Sequence, residues 1–228
     1  MHFHLPKPLH GWREFAGEVG IVVIGVLIAL AAEQVVETVH WRHEVEAERN
    51  SLLQEAKDSY GGVDARRRQQ GCVDRRLADI RLVLERHHRG EALGLMGPIG
   101  RPTGQGASRG TWQIALSGQA LSHMDHSEKL AFSDAFNSFD LFDRVEQQEA
   151  DSWFRMSSLN TPDLLGPSDW SNITAAYNTA VLHNDHIRAL APWLLGKRLQ
   201  GVDRYRETGD LSGFKGMVEE ICRPILSS

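Results

Sequence analysis

The chain is poor in cysteine and has no excess of positive charge, no alternating strand pattern and few long hydrophobic runs. Each shortage excludes something. With 25 Lys and Arg against 30 Asp and Glu, a formal charge of -5 and a pI near 6.1, it is not a general nucleic-acid binder. Phosphate contacts demand a net surplus of cations. The two cysteines, Cys72 and Cys222, form no CxxC and no metal-ligand spacing. They leave two readings open: one long-range disulfide in an oxidising compartment, or two unrelated buried thiols. No GxSxG elbow, HExxH or cysteine-nucleophile signature occurs. The glycines of residues 90–110 do not follow a strand into a phosphate-cradling pattern. Neither an enzyme nor a cofactor is expected. Without period-two alternation, the expected class is all-α.

Mean hydropathy is -0.34, and one stretch alone, GEVGIVVIGVLIALAAEQ, is apolar enough to cross a bilayer. Its uncharged run, residues 19–32, lies between Glu18 and Glu33. As a helix it rises only about 21 Å against a hydrocarbon core of roughly 30 Å. The flanks lengthen it. Trp12 and Phe15 precede the run and Trp41 follows it, and aromatics collect at membrane interfaces. Trp12 to Trp41 covers roughly 43 Å of helix, the full bilayer with its headgroups. Glu18 and Glu33 then sit at the two boundaries, where a carboxylate reaches water. The expectation is a short tail, residues 1–11, and a retained anchor, residues 12–41. Two rivals stay open. One is a cleaved signal peptide, with Lys7 and Arg13 as its basic end and Ala29-Leu30-Ala31 as the cleavage site. Glu14, Glu18 and the unbroken helical pattern to Trp41 weigh against it. The other is the core helix of a soluble fold.

The segment GEVGIVVIGVLIAL, preceded by MHFHLPKPLHGWREF and followed by a charged helix, resembles the anchor of an uncharacterised bacterial family of small single-pass membrane proteins. The shared form is G-E-(apolar)-G-(apolar)-I-G-(apolar)-L-I-A-L. The resemblance covers residues 5–40, and beyond them TWQIALSGQAL is more weakly similar. It implies a membrane location and a helical extramembrane domain, and it brings no activity, cofactor or catalytic residue. Lys7 and Arg13 on one side nearly balance Arg42 and Arg49 on the other. The short basic leader and the resemblance orient the amino end to the cytoplasm. The carboxyl-terminal domain is then expected in the periplasm, beside a bacterial inner membrane. Expected partners are the lipid bilayer and either a second copy or another envelope protein. At 100° per residue Glu18, Val22, Gly25, Ala29, Ala32 and Val36 share one face. Gly25 and Ala29 form a small-xxx-small pair that lets helix backbones approach in lipid. The plainer reading is that Gly and Ala are simply common in membrane helices.

Residues 42–89 keep a helical rhythm through Val45, Leu52, Ala56, Tyr60, Val63, Val73, Leu77, Ile80 and Leu84. Arg66 or Arg67 and Gln70 interrupt that stripe. The pair Gly61-Gly62 makes either one long stalk or a hairpin. The stripe packs against later helices or forms a coiled coil between copies. The cluster Arg66, Arg67 and Arg68, with Arg75, Arg76 and neighbouring Asp64, Asp74 and Asp79, reads as a solvated face. Residues 90–110, with seven glycines, Pro98 and Pro102, read as a linker. Residues 111–228 read as a helical domain packing on 42–89. Its first helix takes Thr111 as N-cap, and Ser127 with Glu128 opens the next. Phe132, Phe136, Phe139 and Phe142 follow at core-seam spacing. Residues 160–167 break the pattern. A helix from Ser168 is disturbed at Pro192, and a short one over 211–222 ends the chain.

Two histidine pairs, His123 with His126 and His183 with His186, stand at i and i+3. Imidazole is a common metal ligand, so these four are candidate ligands. Di-metal bundles use Glu-x-x-His motifs that this chain lacks, and exposed or capping residues are the competing reading. His2, His4, His10, His87 and His88 read as surface residues, and Glu146, Glu149, Glu219 and Glu220 as solvated acids. The expected role is a non-enzymatic interaction or scaffold protein of the cell envelope. The alternatives are a ligand-sensing domain, with Trp112, the phenylalanine stripe and Trp170 lining a pocket, and a metal-dependent enzyme at the histidine pairs.

Overall fold

The computed structural model describes residues 11–94, 96–104, 106, 109–202, 205 and 209–226. His2, His4 and His10 lie outside them. The chain is all-α: the described residues hold seven α-helices, no named strand and one isolated bridge, Met96 to Leu226. Helix α1, Trp12–Arg68, is 57 residues long, or roughly 85 Å. It runs straight through Gly61 and Gly62, so the glycine pair makes no hairpin. Both glycines are buried, and a Cβ on Gly209 would stand 2.2 Å from the Gly61 carbonyl oxygen. Packing at this close approach outweighs the ~1 kcal/mol helix cost of each glycine. The break falls instead at Gln69, whose backbone stays helical (φ -82°, ψ -8°), and α2, Gln70–His88, resumes at once.

The bundle follows from three long helices. Helix α5, His126–Met156, runs parallel to α1, since Arg49 bonds Glu128 and Arg66 bonds Glu149. Helix α6, Pro167–Gly196, returns antiparallel, placing Asn184 at Arg66 and Lys197 at Tyr60. Two 3-10 turns, Ser157–Asn160 and Pro162–Leu164, join them. Pro192 is accommodated in the last turns of α6 rather than ending it. Short helices α3, Gly110–Ser117, and α4, Ala120–His123, lie against α1, and α7, Lys215–Cys222, lies against α2. The start of α3 is not capped by Thr111. The buried Glu55 carboxylate on α1 accepts from the Thr111 and Trp112 amides, both at 2.9 Å. Likewise α5 is opened by Asp125, whose side chain accepts from the Ser127 and Glu128 amides.

Two apolar clusters fill the bundle. The first holds Val45, Leu52, Tyr60, Trp112 and the four seam phenylalanines, each of which is buried. The second holds Val73, Ile80, Trp153, Trp170 and Ile173. The stripe of residues 42–89 therefore finds its partners within this chain. Of residues 90–110, expected to be a linker, the described ones between α2 and α3 form a strap along the bundle. Ile99 is fully buried, its amide donates to Asn160 Oδ1 at 2.8 Å, and Gln69 both donates to and accepts from Thr103.

Candidate functional site

The apolar part of α1 touches nothing. Its most apolar 18-residue window has mean hydropathy 2.4 and is 0% buried, so it is not a helix of this chain's own core. One helix near the amino end is thus long and apolar enough to cross a membrane. Glu18, Gly25, Ala29 and Ala32 are all exposed on it. At 100° per residue, the domain-facing stripe through Trp41, Val45, Leu52 and Ala56 lies opposite the Gly25-Ala29 face. That small-residue face is therefore clear of the domain.

Where the apolar part of α1 meets the bundle, the Trp41 indole stacks on the His123 imidazole, with ring centres 3.9 Å apart. Arg49 and Glu128 form a bidentate pair just beyond. Between them a groove of about 660 Å³ opens along one stripe of α1, from Gln34 to Arg49, with His123 and Asp125 as its far wall. A second groove, about 550 Å³, lies between Arg49, Tyr60, Phe132, Trp193 and Lys197. The Lys197 ammonium sits over the Trp193 ring at 4.3 Å.

A polar layer separates the two apolar clusters. Arg66, expected on a solvated face, is 0% exposed. Its guanidinium donates to both Glu149 oxygens, at 3.0 and 2.6 Å, to Asn184 Oδ1 at 3.1 Å and to Gln70 Oε1 at 3.4 Å. Asp74 closes the network, accepting from Asn184, Gln70 and Arg188. Burial pushes its carboxyl up, but those three hydrogen bonds outweigh burial and hold it below the ordinary value. Arg76 is buried as well. It donates to the carbonyls of Pro98 and Ile99 in the strap and of Glu220 and Arg223 near the carboxyl end. Beside it Cys72 and Cys222 form a disulfide across 150 residues. The solvated-face reading holds only for Arg67, Arg68 and Arg75.

Glu146 and Glu149, expected to be solvated, face this layer too. Glu149 is 1% exposed. Glu146 lies under the strap, in a cleft of about 260 Å³ with Asp143, Arg101 and Thr103. Its Oε1 is buried without a hydrogen-bond partner. Gly104 leaves the room: a Cβ there would meet that oxygen at 2.0 Å. Burial, reinforced by Glu149 and Asp143 and only partly offset by Arg66, pushes Glu146 up to about 7. A carboxyl raised in the folded state favours folding below its unfolded pKa of about 4.5 and progressively disfavours it as pH rises through 7. The penalty above pH 7 is roughly 3 kcal/mol. Glu146→Gln should therefore raise the thermal midpoint at pH 8 by about 5–10 °C and leave it nearly unchanged at pH 4. Melting curves of both proteins at the two pH values check this; equal midpoints at pH 8 would contradict it.

The histidine pairs do not converge. His123 ends α4 and His126 begins α5, both exposed, whereas His183 and His186 lie on α6 flanking the buried Asn184. Among the described residues no three His, Cys, Asp or Glu side chains are placed to share a metal ion. The aromatic pocket is not formed either. Trp112 stacks on Phe136 in one apolar cluster, and Trp170 lies in the other against His87. Sequence reasoning missed Glu55 and put Arg66, Arg76 and Glu149 on solvated faces, where the structure buries them. The available signal was the interruption of the apolar stripe at Arg66 and Gln70.

No family model, curated protein or solved structure matches this chain.

Proposed function

We propose that this chain is a single-pass membrane protein whose helical domain serves as a non-enzymatic interaction or scaffold module of the bacterial envelope. The observation that carries the reading is the unbroken course of α1 from its bare apolar half into the core of the bundle. A domain attached through a flexible linker roams. This one is fixed in height and rotation above the bilayer, as suits a module that presents one surface to a partner. The Cys72–Cys222 disulfide suits an oxidising compartment and so supports the reading with the domain in the periplasm and the tail with Lys7 and Arg13 in the cytoplasm. The resemblance of the anchor to small bacterial single-pass proteins points the same way. The Gly25-Ala29 face, turned away from the domain, lets a second anchor approach without the two domains colliding.

The test is photo-crosslinking in intact cells, with a reactive residue at Ala29 or, as a control on the opposite side, at Leu27. A discrete adduct above monomer mass from Ala29 but not from Leu27 supports a partner on that face. Recovery of monomer alone from crosslinkers on the anchor and across the domain surface contradicts the interaction reading. A second reading, small-ligand sensing, is favoured by the groove beside Tyr60 and Trp193, whose 550 Å³ falls in the range of small-molecule sites.

A further inference from the structure

The Cys72–Cys222 bond stands where it can open without its ends drifting apart. Both cysteines are only half-buried. Arg76 donates to the Glu220 and Arg223 carbonyls on either side of Cys222. The Ile225 amide donates to Asp79, and the Gly97 amide to the Ile225 carbonyl. Those contacts keep the end of α7 seated on α2 whether the two sulfurs are joined or free.

The sulfurs are not equivalent. Arg75, exposed on α2 one turn after Cys72, donates from Nη2 to Cys72 Sγ at 3.3 Å. Cys222 is the last residue of α7, and one turn before it stands a carboxylate, Glu219, shared by Lys215 and Arg223. The other charged groups of these segments are engaged elsewhere. Arg68 binds Asp64 and the Gly209 carbonyl, Asp74 accepts from Asn184, Gln70 and Arg188, and Glu220 lies against Gly100 of the strap. Arg76 spends its donors on four carbonyls. A cation beside a sulfur favours its thiolate, a carboxylate disfavours it, and the thiol of lower pKa leaves faster. Cys72 is therefore the better leaving group, and Cys222 the sulfur that a nucleophile attacks.

We propose that this disulfide is a thiol-exchange site, opened at Cys222 by an incoming dithiol. One thiolate of that partner attacks Cys222 Sγ. The new S–S bond forms as the Cys72–Cys222 bond breaks, and the electron pair leaves on Cys72 as a thiolate beside Arg75. The partner's second thiol, as thiolate, then attacks the partner's own sulfur in the mixed disulfide and expels Cys222. Two electrons pass to this chain, the partner departs as a disulfide, and its two protons end on Cys72 and Cys222. Reverse exchange with an oxidised partner restores the bond in place.

Oxidised full-length chain in nanodiscs tests the direction of opening. Brief exposure to glutathione, whose single thiol leaves the mixed disulfide standing, is followed by alkylation of free thiols and peptide mapping. Glutathione on Cys222 with Cys72 alkylated should be about fivefold more abundant than the reverse. Arg75→Gln should bring the two adducts to near equality. In Cys222→Ser, adding Arg75→Gln should slow alkylation of Cys72 by about threefold, and in Cys72→Ser it should leave Cys222 unchanged. Equal adducts in the native chain, an excess on Cys72, an excess on Cys222 that survives Arg75→Gln, or glutathione taken up only in denaturant would each overturn the proposal.

Discussion

Replacing Cys72 and Cys222 together by serine should lower the unfolding free energy of the domain by about 5 kcal/mol. The bond joins α2 to the end of α7 and closes a loop across 150 residues that contains the strap and helices α3 to α6. Fixing both ends of so long a loop removes much of the freedom of the unfolded chain, and the chain-entropy relation gives that figure for this length. The native side offers little compensation. The strap and carboxyl-terminal segment are held at the same place by Arg76, by the Ile225 amide on Asp79 and by the Gly97 amide on the Ile225 carbonyl. Those contacts stay intact in the serine variant, so the loss comes from a freer unfolded state. For a domain of this size the midpoint should fall by roughly 10–20 °C. Reducing the native protein should reproduce the fall. A loss below about 1 kcal/mol would show that the bond is absent or that the unfolded chain keeps structure.

The second large effect concerns Arg66. Arg66→Met should cost about 3–5 kcal/mol, because it strands the buried Glu149 carboxylate without its counter-charge. The same change removes the cation that opposes the upward push on Glu146. The double variant Arg66→Met with Glu149→Leu should recover at least half of that loss, since an apolar pair of similar volume replaces an ion pair whose desolvation was costly. Recovery will be incomplete: Asn184 and Gln70 each lose a partner. Denaturant unfolding of wild type, both single variants and the double variant closes the cycle. Additive losses would contradict the account of this layer as one interacting unit.

These two features mark the limit of what the sequence reveals. The apolar span, the helical class and the phenylalanine seam were legible because each depends on local spacing. The four phenylalanines repeat at helical intervals, and all are buried. The continuity of α1 was not legible. Gly61 and Gly62 weaken a helix locally, and only the structure shows the distant Gly209 backbone packed against Gly61. Nor was the fate of the charges. Arg66 finds Glu149 across 83 positions, Arg76 finds carbonyls of two remote segments, and Glu55 accepts from the Thr111 amide 56 residues on. Charge adjacency along the chain favours a solvated surface, and tertiary packing overrides it where an apolar stripe is interrupted. The strap misled for a similar reason. Its Gly and Pro content excludes regular structure but says nothing against a fixed course once Arg76 and Gln69 bind its carbonyls.

The central claim is that a bilayer-spanning helix continues without a joint into a domain held on the oxidising side of the membrane. The most direct measurement is on cells lysed with a thiol-blocking reagent, following the full-length chain through an alkaline wash of the membranes. The account predicts that the chain stays in the washed membranes and that Cys72 and Cys222 take up no reagent until reductant is added. Release of the chain by the wash, or two cysteines labelled without reductant, would contradict it.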